Sequence, residues 1–236
     1  MQQLMFMKDM YCWESKFRSC EYSNKLLSLL QSLNQRVEHL VDINQVKKAC
    51  YYAREYHGSQ LRKSGEPYYS HPLEVGYLFA CYASMEHAKY YTTDLIITAI
   101  LHDCLEDTAL TEDMISEIFN ENIACMVADL TRVKDGAKIS SADSVDLLLS
   151  HNKEGVLLIK IFDRLHNART INFMPPNKIA SILNETLEKF VFSSIYAGAT
   201  NIEKELIEIC SKHFPRSWNR ESKISFKEEY RLPSLA

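Results

Sequence analysis

An all-helical fold is predicted by three observations on this chain of 236 residues. Only 6 Gly and 6 Pro occur, below the roughly 7% and 5% of average usage, which disfavours folds built on many tight turns. Apolar residues recur at three- and four-residue spacing along most of the chain, and strand-like alternation is nowhere sustained. A composition of 46% hydrophobic and 25% charged residues is that of a globular chain able to bury a sizeable core. The length suits one domain with extensions, since single cores run to about 250 residues.

The helices can be placed in order. From Tyr22 to Leu40, residues Leu26, Leu27, Leu30, Leu33, Val37 and Leu40 mark one face of an amphipathic helix, a surface for packing on the domain or on a second copy. Asn44 to His57 carries Val46, Ala49, Cys50 and Ala53 on one side, ahead of the polar loop HGSQLRKSGEPYYS. A helix then runs from His71 to about Ala83, with Pro72 tolerated in its first turn, where the missing donor would be unpaired. Thr93 or Asp94 could cap the next helix, which contains ITAILHDCLED. Further helical periods cover Glu112–Val133, Ser144–Leu149, Val156–Asn172 and Pro176 to about Lys212.

The 27 basic and 31 acidic side chains give a net charge of -4, so there is no global attraction for nucleic acid or an anionic membrane. Any nucleotide site must be local. No run of 18 apolar residues appears and the opening MQQLMFMKDMYCWESK is too polar for a secretory leader, so a cytoplasmic protein is expected. The 7 cysteines show no CxxC spacing and are read as small buried thiols rather than disulfides or zinc ligands.

Two polar clusters stand out against apolar helices. In HDCLED, a helical wheel puts His102, Asp103, Glu106 and Asp107 at about 0°, 100°, 40° and 140°, within one sector. The tract follows the apolar DLIITAIL, and carboxylates carried that way into a core repel unless a cation neutralises them. In LLIKIFDRLHNART, Asp163, Asn167, Thr170, His166 and Lys160 share a face within about 60° of Asp163. With His71 at a helix start, the residues His71, His102, Asp103 and Asp163 could supply two imidazole nitrogens and two carboxylate oxygens. That mixture suits Mn²⁺, Fe²⁺ or Zn²⁺ better than Mg²⁺.

The order H…HD…D resembles that of the HD superfamily of metal-dependent phosphohydrolases. More narrowly, RKSGEPYYSHP, HDCLEDT, IKIFDRLHNART and PPNKIASILNETLEKF resemble the hydrolase domain of the RelA/SpoT family, which degrades guanosine alarmones. The resemblance implies an HD-domain helical bundle over residues 41–213, between an N-terminal helical extension over 1–40 and a tail over 214–236. It implies one Mn²⁺ held by His71, His102, Asp103 and Asp163, and a hydrolytic pair in Glu106 and Asp107. It also implies a guanine-facing loop in Arg62, Lys63 and Ser64, with Asn167 and Thr170 positioning the nucleotide.

The implied reaction removes pyrophosphate from the ribose 3′ position, giving GDP from the tetraphosphate and GTP from the pentaphosphate. A bound divalent metal lowers the pKa of water from 15.7 toward about 7, and Glu106 is placed to accept or relay its proton while Asp107 orients or assists. Lys160, Arg164, His166 and Arg169 are available as positive partners for the leaving group. Phe162 and Cys104 depart from the family's pattern without altering a ligand. No GxxxxGK[ST] is present, so a stand-alone hydrolase without alarmone synthesis is expected. Two further readings compete: a phosphatase acting on another nucleotide, such as the 2′-phosphate of NADPH, and a helical interaction module without turnover. The N-terminal helix offers a route to an oligomer.

Overall fold

The computed structural model describes residues 12–134 and 137–213; the start of the expected extension (1–11) and the expected tail (214–236) lie outside the described residues. The described chain is helical almost throughout. Its elements are α1 (12–16), α2 (Glu21–Leu33), α3 (Ile43–His57), α4 (Ser70–Glu86), α5 (Thr93–Leu101), α6 (Cys104–Asp107), α7 (Glu112–Ile118) and α8 (Glu121–Leu130). There follow α9 (Ser141–Ser150), α10 (Glu154–Arg169), α11 (Pro176–Glu185), a π-helical turn over Thr186–Val191, α12 (Phe192–Tyr196) and α13 (Thr200–His213). The expectation of an all-α bundle holds.

α5 is the central helix because its sequence has no polar side to offer water. Every residue from Leu95 to Leu101 is buried, and α3, α4, α8 and α10 pack around it. α4 contributes Val75 and Phe79, and α10 contributes Leu158, Ile159 and Phe162, all at most 1% exposed. α4 and α5 approach closely at Gly76, where an added Cβ would stand 3.0 Å from Ile100 Cγ1. α2 packs on α4 and α3, with Leu26 and Leu30 fully buried in the same core. Of the expected apolar stripe, Leu26 and Leu30 are buried in the chain's own core, whereas Leu27, Leu33 and Val37 are half-buried.

Side-chain caps set several boundaries. Asp42, Thr92, Asn120 and Ser140 accept from backbone N–H groups in the first turns of α3, α5, α8 and α9. The cap of α5 is thus Thr92, ahead of the expected Thr93 or Asp94. The helix expected to reach Leu40 stops at Leu33. The Asn34 side chain pairs with both backbone groups of Val41, at 2.8 and 3.0 Å, and folds the chain back, leaving Leu40 exposed.

The long helix expected over Glu112–Val133 is two helices, because Asn120 starts a new one by accepting from Ile123 N. It gives way at its end to a small antiparallel hairpin, Val133–Lys134 against Ala137–Lys138, too short to carry an alternating pattern. The segment from Pro176 to Lys212 is interrupted by the π turn and by Gly198, whose φ of +70° suits glycine. The cysteines divide: Cys50, Cys104 and Cys210 are buried free thiols as expected, whereas Cys125 is exposed and Cys12, Cys20 and Cys81 are half-buried, Cys20 standing just before α2. Among the described residues no helix is long and apolar enough to cross a membrane.

Candidate metal centre and its cleft

Three mutually packed helices bring the predicted ligands together. His71 lies in the first turn of α4, His102 is the residue on which α5 ends, and Asp163 lies mid-way along α10. His71 Nε2 is 3.1 Å from Asp163 Oδ1, and His102 Nε2 is 3.7 Å from the same oxygen. The ligand atoms of His71, His102 and Asp163 lie within 4.8 Å of one another, a group able to hold a metal ion. Asp103 completes the set from the side, its carboxylate 3.5 Å from His71 Nε2 and 3.2 Å from His102 Nε2, although it stands outside that tightest group of three.

The single helix expected through HDCLED is broken. α5 ends at Leu101, Asp103 takes φ -94° and ψ -7°, and the short α6 resumes at Cys104. The regular 100° steps of a wheel do not apply across this break. The break nevertheless keeps His102, Asp103, Glu106 and Asp107 on one cleft wall.

Two hydrogen bonds fix which imidazole nitrogen faces the carboxylates. His102 Nδ1 donates to the carbonyl of Ala99 at 2.8 Å, so Nε2 presents its lone pair inward. That Nε2 is buried and has no hydrogen-bond partner. His71 Nδ1 lies 2.9 Å from His166 Nδ1, whose pKa burial lowers to about 3, and so Nε2 is the His71 nitrogen that faces Asp163. An orphaned buried nitrogen beside two carboxylates fits a divalent cation.

The electrostatics agree. Burial disfavours a charged His102, yet Asp103 and Asp163 raise its pKa well above the ordinary value, so the space between the two carboxylates favours positive charge. Burial likewise opposes ionisation of Asp163, but the two histidines pull it well below the usual carboxylate range. His71 is shifted down by burial.

Above this cluster opens a cleft of about 550 Å³. The loop between α3 and α4 forms one wall. Arg62 N donates to Glu66 O, Gly65 takes φ +90°, and Leu61 bridges Pro67, so the loop is a tight turn that Gly65 permits. Arg62 reaches across to Asn167 Oδ1 at 3.2 Å and Thr170 Oγ1 at 3.3 Å, and Asn167 Nδ2 donates to Asp163 Oδ1 at 2.6 Å. Lys63 and Ser64 also line the cleft, with Ser64 donating to Glu66.

Glu106 is not free. Its carboxylate accepts from Arg132 N at 2.7 Å and from the Arg132 guanidinium at 3.2 and 3.3 Å, with Lys138 Nζ 3.5 Å away. Burial works against ionisation here, but these bonds lower its pKa. Asp107 stands at the rim and accepts from the Tyr68 hydroxyl at 2.8 Å.

The proposed cationic partners sort clearly. Lys160 and Arg164 line the cleft; Lys160 donates to Leu130 O, and burial lowers its pKa. Arg169 turns away to pair with Glu205, and His166 is a neutral partner of His71 rather than a cation, so neither serves as a positive group in the cleft. Their charge alone named them as candidates, without the neighbouring helices that decide where each side chain turns. Sequence reading missed Arg132 and Tyr68. Arg132 lies 26 residues from Glu106 with no local signal, whereas Tyr68, three residues before His71, stood within the motif already noted.

An all-α bundle in which a histidine, an adjacent His-Asp pair and a distant aspartate converge beneath a cleft lined by charges of both signs is an arrangement able to hold a metal ion. The chain belongs to the HD domain family, whose model matches residues 49–200. It is 36% identical over 186 residues to GTP pyrophosphokinase rsh of Brucella ovis, covering 75% of this chain and 24% of that protein. It is 32% identical over 223 residues to guanosine-3′,5′-bis(diphosphate) 3′-pyrophosphohydrolase of Aquifex aeolicus, covering 89% of this chain and 31% of that one. The chain thus spans roughly a quarter to a third of the length of these relatives. A solved structure described as a metazoan ortholog of SpoT that hydrolyzes ppGpp shares the fold, with a TM-score of 0.56 at 21% identity, over 71% of this chain and 94% of that one. The RelA/SpoT resemblance drawn from the motifs holds.

Proposed function

We propose that this chain is a cytoplasmic, metal-dependent guanosine-3′,5′-bis(diphosphate) 3′-pyrophosphohydrolase, with residues 41–213 as its catalytic domain. The observation that carries the reading is the buried, partnerless His102 Nε2 beside Asp103 and Asp163 at the foot of the cleft. The similarity to the Aquifex pyrophosphohydrolase supports the substrate class.

His71, His102, Asp103 and Asp163 would hold the cation, for which Mn²⁺ is the preferred occupant and Fe²⁺ or Zn²⁺ the alternatives for a mixed nitrogen and oxygen set. A divalent ion bound there supplies Lewis acidity and makes a nearby water more acidic. Arg62, Lys63 and Ser64 form the wall that would receive the base, and Asn167 and Thr170 hold Arg62 in place. Glu106, kept ionised by Arg132, would take the proton of the attacking water, and Asp107 would orient it. Water adds to the phosphorus on the ribose 3′ oxygen, the bond from phosphorus to that oxygen breaks, and the 3′ oxygen takes up the proton Glu106 accepted, giving pyrophosphate and GDP. Lys160 and Arg164 would offset the charge of the departing group.

The test is a product assay on purified chain with Mn²⁺ and guanosine tetraphosphate. Pyrophosphate and GDP are the expected products. No pyrophosphate under single-turnover conditions, with metal shown bound, rejects the reading.

A further inference from the structure

We infer that Tyr68 is a positioning residue whose hydroxyl ties the cluster carboxylate Asp103 to the rim carboxylate Asp107, and that His57 and Gln60 hold this link in register. The kinetic part of the inference rests on the hydrolase reading above; the metal-binding part does not.

The Tyr68 hydroxyl lies 3.0 Å from Asp103 Oδ2 and 2.8 Å from Asp107 Oδ2. A phenol has one hydrogen to donate, so both carboxylates are oriented toward a single shared donor. Asp103 leans on the two histidines and Asp107 stands at the rim of the cleft. One side chain therefore spans the floor and the edge of the site.

Tyr68 is itself clamped. Its ring stacks on His57, with centroids 4.7 Å apart and planes 28° from parallel, and meets His71 edge-on at 6.2 Å. His57 is buried at the end of α3 and takes no part in the proposed chemistry. Its Nδ1 lies 2.9 Å from Gln60 Oε1, and Gln60 Nε2 donates to the backbone oxygen of Asp107 at 2.8 Å. Cys104 Sγ, 3.8 Å from His57 Nε2, closes the far side. His57, Gln60, Asp107 and Tyr68 thus form a closed circuit, gripping Asp107 by main chain and side chain at once. The same circuit joins the loop that carries Arg62, Lys63 and Ser64 to the segment that carries Asp103 and Glu106.

Partners that orient the ligands and acids of a metal site typically change metal affinity or activity 10- to 100-fold when removed. Tyr68→Phe keeps the ring and deletes only the hydroxyl. In the full chain it should weaken Mn²⁺ binding by about tenfold or more in calorimetry, and lower kcat at saturating Mn²⁺ by about tenfold or more, with KM for guanosine tetraphosphate within about threefold. Gln60→Ala, at an exposed position, should lower kcat while leaving Mn²⁺ affinity unchanged, because the grip on Asp103 survives.

Unchanged Mn²⁺ affinity or unchanged kcat in Tyr68→Phe overturns the inference. Should that variant fail to fold, a wild-type kcat in Gln60→Ala overturns it instead. If the unmodified chain releases no pyrophosphate, the hydrolase reading fails, and the Mn²⁺ affinity of Tyr68→Phe still decides whether the hydroxyl positions Asp103.

Discussion

His71 Nδ1 and His166 Nδ1 face each other at 2.9 Å, a contact between two imidazoles on different helices. Both rings are neutral, since burial lowers each pKa, so one must donate and the other accept. When His71 donates through Nδ1, its Nε2 is left with a lone pair toward Asp163. An accepting His166 would hold His71 in the tautomer that a metal ligand requires.

Replacing His166 by Phe removes the acceptor while keeping an aromatic ring. Mn²⁺ affinity should fall about 10- to 100-fold, the usual range for lost outer-sphere partners. Calorimetric titration checks this, and affinity equal to wild type would show that His71 is oriented without His166.

One oxygen of Asp163 faces both histidines, at 3.1 Å from His71 Nε2 and 3.7 Å from His102 Nε2, so Asp163→Asn should abolish metal binding and turnover together. Mn²⁺ at a hundredfold excess over its Kd should stabilise the unaltered chain by about 2.7 kcal/mol and the variant not at all. Thermal melts with and without Mn²⁺ supply the comparison.

The acidic limb of the rate profile should belong to Glu106. It accepts a proton only when ionised, so activity is lost as pH falls through its pKa, which the Arg132 bonds depress. Arg132→Ala removes the guanidinium, raises that pKa and should move the acidic limb to higher pH. Measurements of kcat/KM against pH in both proteins test this; an unmoved limb assigns it to another group.

Arg62→Ala should chiefly raise KM for guanosine tetraphosphate, because Arg62 lies on the cleft wall and touches Asn167 and Thr170 rather than the cluster. A KM unchanged from wild type would take Arg62 out of the binding wall.

Leu30 is fully buried where α2 joins the core, so Leu30→Ala should destabilise the fold by about 2–5 kcal/mol. Chemical denaturation measures it. A loss below about 0.5 kcal/mol, typical of surface changes, would mean that α2 is not part of the cooperative unit.

Much of this architecture was legible in residue spacing. The helix carrying Asp163 runs from Glu154 to Arg169 with the expected polar face, and Pro72 sits in the first turn of α4 as its ring demands. Reading failed where helices are interrupted, at Gly198 and, more often, at breaks that carry no Gly or Pro. The turn at His102 and Asp103, the π turn over Thr186–Val191 and the Asn34 clasp on Val41 leave the apolar period almost intact. That His71, His102, Asp103 and Asp163 would lie together was foreseeable from the H…HD…D order, in which a His-Asp pair after an apolar run is chemically conspicuous. The Arg132 bonds to Glu106 were not, since a wheel shows only neighbours on its own helix.

The close approach at Gly76 has a mechanical meaning for the cluster. Gly76 lies one residue beyond the first full turn after His71, and its neighbour Ile100 stands two residues before His102. A missing methyl group therefore lets α4 and α5 close up near the two imidazoles, so their spacing is limited by steric room on the buried side of the helices, away from the mouth of the cleft.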